Sequence, residues 1–359
     1  MSGCELHRRS FIMYSMLRRF GLVALLVMLL SVAGAASATV NIVGTPMASN
    51  TIRGWGKAFT ATTGIDVAYI EALEEVSTTE LFVGIYDVAV VEYPLSEYRL
   101  RRLGLVQFPL LATGVAIVAN VPGVIPGALR LDAPVVASIY MGKITHWDDA
   151  RIAELNAGLS LPHLEIVPIA QSDGSAVTLN FTRYLAAGSE SWRQQVGLGS
   201  GLIWPLGTDE KNAMAAAQKL QSTEGAIGFQ PWGHVLRFDL PTVQLQNAQG
   251  VFIKPGNEAF SRAFRTYLGQ PRSDFSAAVN MKGAESWPIV AVIHGQMKLI
   301  PEDVPDAMDA LQMLRQVLQN KVPPAAGFIA VGYDDVAAAL NQVQTSKQFG
   351  PPSRRKGGS

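Results

Sequence analysis

Residues 39–71 read TVNIVGTPMASNTIRGWGKAFTATTGIDVAYIE, and the succession of run types in them decides the fold class. Thr39–Val43 is a short apolar, β-branched run that predicts a strand. Gly44-Thr45-Pro46 breaks it, and a helical stretch follows from about Ser49 to Thr62, with Gly64 placed to end that helix. Asp66–Ile70 predicts a second strand. A third, Asp87–Val91, ends at Glu92-Tyr93-Pro94. Strands alternating with helices predict an α/β fold with a parallel sheet. In such sheets ligands bind where loops leave the carboxyl ends of the strands. That rule singles out the loops at 44–48, 71–77 and 92–96.

The same alternation continues outward. Leu110–Asn120 is a buried-looking run, closed by the turn Val121-Pro122-Gly123. Asp148 or Asp149 can cap a helix through Leu155, Ile166–Ala170 reads as a strand, and Thr178–Leu185 as a helix. EGAIGF (224–229) reads as a buried strand with glycines at close packing points, and Pro288–His294 as another strand. Val304, Met308, Leu311, Leu314 and Leu318 give 304–318 a helical period. Between strand and helix, IAQSDGSAVTLNFTRYLAAGSESW (169–192) carries a Ser-Asp-Gly-Ser turn. A helix entered this way presents free N–H groups to an anion. Ser175 reads equally as a plain helix cap, and Asp173 as the carboxylate of an Asx-turn.

The first 38 residues predict a secretory signal peptide. Arg8, Arg9, Arg18 and Arg19 precede an apolar run from Phe20 to Val32, and Ala36-Ser37-Ala38 offers a cleavage site after Ala38. The apolar run is shorter than the roughly 20 residues a spanning helix needs. The Arg8-Arg9 pair resembles a twin-arginine signal, unless Met13 or Met16 is the start. Cys4, the single cysteine, falls in this segment, so the mature chain is expected to have no disulfide, no thiol nucleophile and no cysteine metal ligand. Without the signal, 25 basic residues face 28 acidic ones, a net charge of −3. A nearly neutral chain has no electrostatic footprint for nucleic acid. The basic tail, 346–359, is flanked by Pro and Gly and predicts a disordered terminus.

The catalytic templates find no match. His146, His163, His234 and His294 are not spaced to share a helix face, so no metal pair is expected. His294, inside an apolar run, reads as a core histidine. There is no Gly-x-Ser-x-Gly elbow and no Walker loop, and Gly197-x-Gly199-x-Gly201 lacks the context of a dinucleotide fingerprint. No enzyme activity, metal or other cofactor is expected.

One resemblance runs in order along the chain from about 40 to 340. IYMGKITHWDDARIAELNAGLSLP (139–162) and QSDGSAVTLNFTRYLAAGSESW (171–192), with YPLS (93–96), ANVPGV (119–124), IWPLG (203–207), EGAIGF (224–229) and ESWPI (285–289), resemble the periplasmic phosphate-binding proteins of phosphate ABC transporters. The resemblance implies the two-lobed type II periplasmic binding protein fold, α/β, with a ligand cleft between lobes joined by a hinge. It implies one lobe from 39–119 plus 288–345 and another from 120–287, a periplasmic location, and a monomer. In that family phosphate is held without metal by N–H groups, hydroxyls, an arginine and carboxylates, and closure of the lobes buries it.

Carried over residue by residue, the resemblance puts an altered site on this chain. The first loop, normally ending Thr-Phe, here holds Pro46 and Met47; proline brings neither hydroxyl nor N–H. An ungapped match puts Glu74 on a ligand-binding serine. A proton-accepting aspartate becomes Glu92, one methylene longer. Arg-x-Asp-Gly-Ser-Gly-Thr becomes Gln171-Ser172-Asp173-Gly174-Ser175-Ala176-Val177, which loses the guanidinium and the threonine hydroxyl. Two like charges 4 Å apart repel by about 4 kcal/mol at an effective dielectric of 20. A lost arginine–phosphate pair costs ~1.5–3 kcal/mol more. The total of ~6 kcal/mol is around four decades of affinity. That sum holds if Glu74 faces the ligand and fails if Glu74 and Glu75 point into solvent.

Three functions follow. The chain is a solute-binding protein for ABC import of phosphate or a related oxyanion, serving a permease. Alternatively it binds a different small neutral or cationic ligand, on converging Glu74, Glu92 and Asp173. In the third reading it is a non-transport sensor or interaction protein of the envelope, working with a membrane sensor.

Overall fold

A computed structural model describes residues 39–270 and 278–345; the expected signal segment with Cys4 and the basic tail lie outside the described residues. The opening stretch forms β1 (Thr39–Gly44), α1 (Ser49–Thr63) and β2 (Asp66–Glu71). Gly64 ends α1 at φ 76°, donating its N–H to Thr60 O, a left-handed conformation that glycine adopts without strain. Ile52, Trp55 and Phe59 bury one face of α1. The indole of Trp55 also donates to Val322 O at 3.1 Å.

After α2 (Glu74–Phe82) come β3 (Val88–Val91) and the 15-residue β4 (Leu105–Ala119). The second half of the chain supplies β5 (Val167–Gln171), α3 (Ala176–Gly188), β6 (Thr208–Glu210), α4 (Ala213–Ser222) and β7 (Ala226–Pro231). It continues with α5 (Asn257–Leu268), β8 (Ile289–Lys298) and α6 (Val304–Gln319). The strands lie in the order β2-β1-β3-β8-β4-β7-β5-β6.

The expected parallel sheet is mixed. β1 pairs parallel with β3, and β5 with β6 and β7, but β8 runs antiparallel to both β3 and β4, and β4 antiparallel to β7. The cause is the path of the chain. β4 pairs with β8 over Leu105–Gly114 and with β7 over Val115–Ala119, carrying the chain from one half of the sheet to the other. β8 brings it back, and an outgoing strand beside a returning one must be antiparallel. At the changeover, a Cβ on Gly114 would stand 2.2 Å from the ring of Phe260, so only glycine lets α5 pack there.

Several boundaries also differ from the sequence expectation: the run expected at 110–120 is the strand Leu105–Ala119, and the strand expected at 288–294 runs Ile289–Lys298. The loop expected at 71–77 is helical from Glu74, because Glu74 and Glu75 in a first turn suit the positive end of the helix dipole. The strand expected at 224–229 lies two residues later, since Gly225 takes φ 77° and belongs to the preceding turn. The core beneath α3 is aromatic. Phe181 stacks on Phe229 of β7 at 4.1 Å, and Tyr140 and Trp204 pack around them. Asn180 donates from α3 to Val290 O of β8 at 3.2 Å. These contacts hold the N-terminus of α3 against the strand ends.

Candidate functional site

The carboxyl ends of β1 and β3, the start of α2 and the N-terminus of α3 converge on one cleft of about 800 Å³. That volume is in the range of small-molecule sites. The first loop is tied down by Thr45, whose N–H donates to Val90 O at 2.9 Å and whose carbonyl accepts the buried Tyr69 hydroxyl at 2.6 Å. The turn before α3 is built by Asp173. Its Oδ1 accepts the Ser175 N–H at 3.1 Å, the Ser175 hydroxyl at 2.7 Å and the Thr178 hydroxyl at 2.9 Å. Gly174 takes φ 72°, and the Ser175 hydroxyl caps the helix by accepting the Thr178 N–H at 3.3 Å.

Two carboxylates occupy the donors that this architecture presents. Glu74 accepts the N–H of Tyr93 on Oε1 at 2.8 Å and the N–H of Glu92 on Oε2 at 3.0 Å. Glu92 accepts the Thr45 hydroxyl on Oε1 at 2.5 Å and, on Oε2, the N–H of Ala176 at 2.6 Å. Ala176 opens α3, so Glu92 stands on the very N–H group that a bound anion would use. The Tyr93 hydroxyl donates to Gly174 O at 2.5 Å, tying the same two parts of the chain a second time.

The electrostatics follow from this crowding. Loss of water raises the pKa of the Glu92 carboxyl, with the bonds from Thr45 and Ala176 opposing and Asp173 reinforcing. Glu74 is pushed up to about 7, first by loss of water and further by Glu92 and Glu75, against the pull of its two backbone N–H groups. Loss of water also lowers the pKa of His234 on the cleft wall that holds Lys211 and Asn212, which keeps it neutral at pH 7. Lys211 on that wall makes no ion pair among the described residues.

Of the residues singled out in the sequence, Met47, Glu74, Glu92, Asp173, Gly174, Ser175 and Val177 line the cleft. Ala176 lies just behind, lining a recess of about 20 Å³ together with Glu92. Gln171 does not line the cleft. It is fully buried, and neither its amide oxygen nor its amide nitrogen has a partner among the described residues. Glu74 faces inward, so the solvent-facing alternative for it does not hold; Glu75 is exposed but also borders the cleft.

Sequence reasoning passed over Thr45, Tyr93 and the wall formed by Lys211, Asn212 and Met214. The hydroxyl of Thr45, next to the proline that replaces a ligand threonine, was a usable signal; nothing marked Lys211. Elsewhere, the rings of half-buried His146 and exposed His163 stack 4.6 Å apart, and His163 contacts Asp148 at 2.8 Å. His294 is a core histidine, bonded to the Tyr267 hydroxyl at 2.8 Å. No group of three or more metal-ligating residues occurs among the described residues.

A protein-family model described as a PBP superfamily domain matches residues 31–259. The chain is similar to the phosphate-binding protein PstS of Xylella fastidiosa (strain Temecula1). The two are 34% identical over 254 residues, which cover 70% of this chain and 69% of that one. Among solved structures, an ABC-type phosphate transport receptor from Vibrio cholerae aligns with a TM-score of 0.52 at 14% identity, covering 79% of this chain and 96% of the other. A human phosphate binding apolipoprotein aligns with a TM-score of 0.60 at 14% identity, covering 84% and 93%. At such identities these likenesses speak for the fold: α/β, the two-lobed architecture of periplasmic binding proteins. The relatives carry the names of binding proteins, not of enzymes.

Proposed function

The chain belongs to the PBP superfamily, and from that membership we propose that it is an exported solute-binding protein of the kind that serves an ABC importer, with a phosphate site that no longer takes phosphate in the family's usual pose. The lobes would be 39–119 plus 288–345 and 120–287, crossing in β4 and β8, and the protein would act as a periplasmic monomer beside a permease. No helix among the described residues is long and apolar enough to cross a membrane.

The observation that carries the reading is the Glu92 carboxylate on the N–H of Ala176 at 2.6 Å. An oxyanion approaching the N-terminus of α3 meets a carboxyl already there, with Glu74 and Asp173 close by; among the described residues no arginine lines the cleft, and Arg183 lines only the recess behind it. The carboxyl takes the N–H that the anion would need and, where it is ionised, repels the anion as well. The test is calorimetric titration of the exported, ligand-stripped protein with phosphate at neutral pH, with sulfate as control. The expected result is no phosphate binding tighter than the micromolar range. Sub-micromolar, phosphate-selective binding would overturn the reading.

One observation favours a second ligand class for the same cleft. Among the described residues, Glu74, Glu75, Glu92 and Asp173 line it against one lysine, Lys211, a balance that suits a neutral or cationic solute better than an anion.

A further inference from the structure

Two lobes joined by strands close when something touches both, and in a solute-binding protein that role ordinarily falls to the solute. Here the chain itself makes the connection. The Oε1 of Glu92 accepts the Thr45 hydroxyl on its own side of the cleft, while Oε2 accepts the Ala176 N–H at the mouth of α3 on the other. Tyr93 adds its hydroxyl bond to Gly174 O across the same gap. Glu74 accepts both backbone N–H groups of this Glu92-Tyr93 pair and so fixes the segment that reaches over. The donors engaged are those of an anion site: a hydroxyl in the first loop and the first N–H of a 13-residue helix whose cap is already satisfied by Ser175.

We infer that Glu92 is a built-in ligand, a carboxylate of the chain that occupies the anion position and holds the two lobes together with no solute present. The inference rests on the two-lobed, solute-binding reading above and goes beyond it. The exported protein then presents its closed shape constitutively, and whatever enters the remaining cleft binds to lobes that are already engaged. A membrane partner that reads the closed shape would be addressed without a solute cycle. Side-chain length is the device. Aspartate is shorter by one carbon–carbon bond, about 1.5 Å, and cannot keep bonds of 2.5 and 2.6 Å to Thr45 and Ala176 at once.

The test is a distance across the cleft. Cys4 is the single cysteine and falls before the expected cleavage site, so a pair of label sites can be introduced into a cysteine-free exported protein. Thr79→Cys on α2 and Gln218→Cys on α4 are exposed positions on helices whose first turns border the cleft from opposite sides. Spin-label distances are measured on ligand-stripped protein. The expected result is one short, narrow distance for the parent, and longer, broader distributions for Glu92→Ala and Glu92→Asp. A ligand-free parent as open as Glu92→Ala overturns the inference, and so does a Glu92→Ala protein that keeps the parent distance. Thermal melts establish that each variant is folded, and Glu92→Asp serves if Glu92→Ala is not. No solute enters this measurement. Tight phosphate binding in the calorimeter would therefore overturn the functional reading separately.

Discussion

Phe181 lies almost flat on Phe229, with ring centroids 4.1 Å apart and an angle of 16° between planes. The pair joins the middle of α3 to β7 and is fully buried. It fixes where the N-terminus of α3, with Asp173, Ser175 and Ala176, meets the end of β3. Truncating it therefore tests both stability and the site. Phe181→Ala is expected to cost about 3–5 kcal/mol, the range for removing a buried phenylalanine ring, read as a lower denaturant midpoint at unchanged slope.

Gln171 offers the opposite kind of change. Its amide is fully buried with no partner on either atom, and a buried polar group in that condition costs roughly 1–3 kcal/mol. Methionine keeps the unbranched shape and removes the amide. Gln171→Met is expected to stabilise the protein by about 1 kcal/mol or more, a rise of a few degrees in melting temperature. A drop would mean that the amide has a partner such as an ordered water.

Much of the architecture was legible because it is local. The glycine at 64, the capping serine at 175, the Asx-turn carboxylate at 173 and the period of 304–318 act within a few residues, and each appears where expected. The antiparallel centre of the sheet was not legible, because it depends on β8 returning beside β4 from the far end of the chain. The role of Glu92 was half legible. A carboxylate ending a buried strand was marked as a site residue, but its partner Ala176 lies 84 residues away and offers only a backbone N–H, which no residue type advertises. Tyr93 escaped for the same reason, since its hydroxyl finds a carbonyl, that of Gly174.

Stability should fall as the solution is made alkaline from weak acid. Burial lifts Glu74 from 4.5 to about 7 and Asp87 from 3.8 to about 6. Asp87 is also pushed up by Asp306, Asp303 and Asp309. A carboxyl with a raised folded-state pKa keeps a proton that the unfolded chain has released. Its penalty is absent below the unfolded value and complete above the folded one. For Glu74 that penalty is on the order of 2 kcal/mol, allowing for the water that still reaches it. The melting temperature is expected to be highest near the unfolded carboxyl range, about pH 4, and to decline toward pH 8. Glu74→Gln should flatten the part of that decline between pH 5 and 7.

On the reading proposed above, restoring phosphate binding is expected to take three changes. Glu74→Ser removes a carboxyl, partly ionised at neutral pH, from beside the ligand, and Gln171→Arg returns the guanidinium that the family resemblance assigns to that position. Neither frees the N–H of Ala176, which Glu92 occupies at 2.6 Å. The double variant is therefore expected to gain little. Adding Glu92→Asp shortens the carboxylate, vacates the helix N-terminus and leaves an acceptor for the phosphate proton. Phosphate affinity in the calorimeter should then rise at least two decades over the double variant, about 3 kcal/mol, with sulfate unaffected. If the double variant alone binds phosphate as tightly as the triple, Glu92 yields its place to the anion and does not bar it.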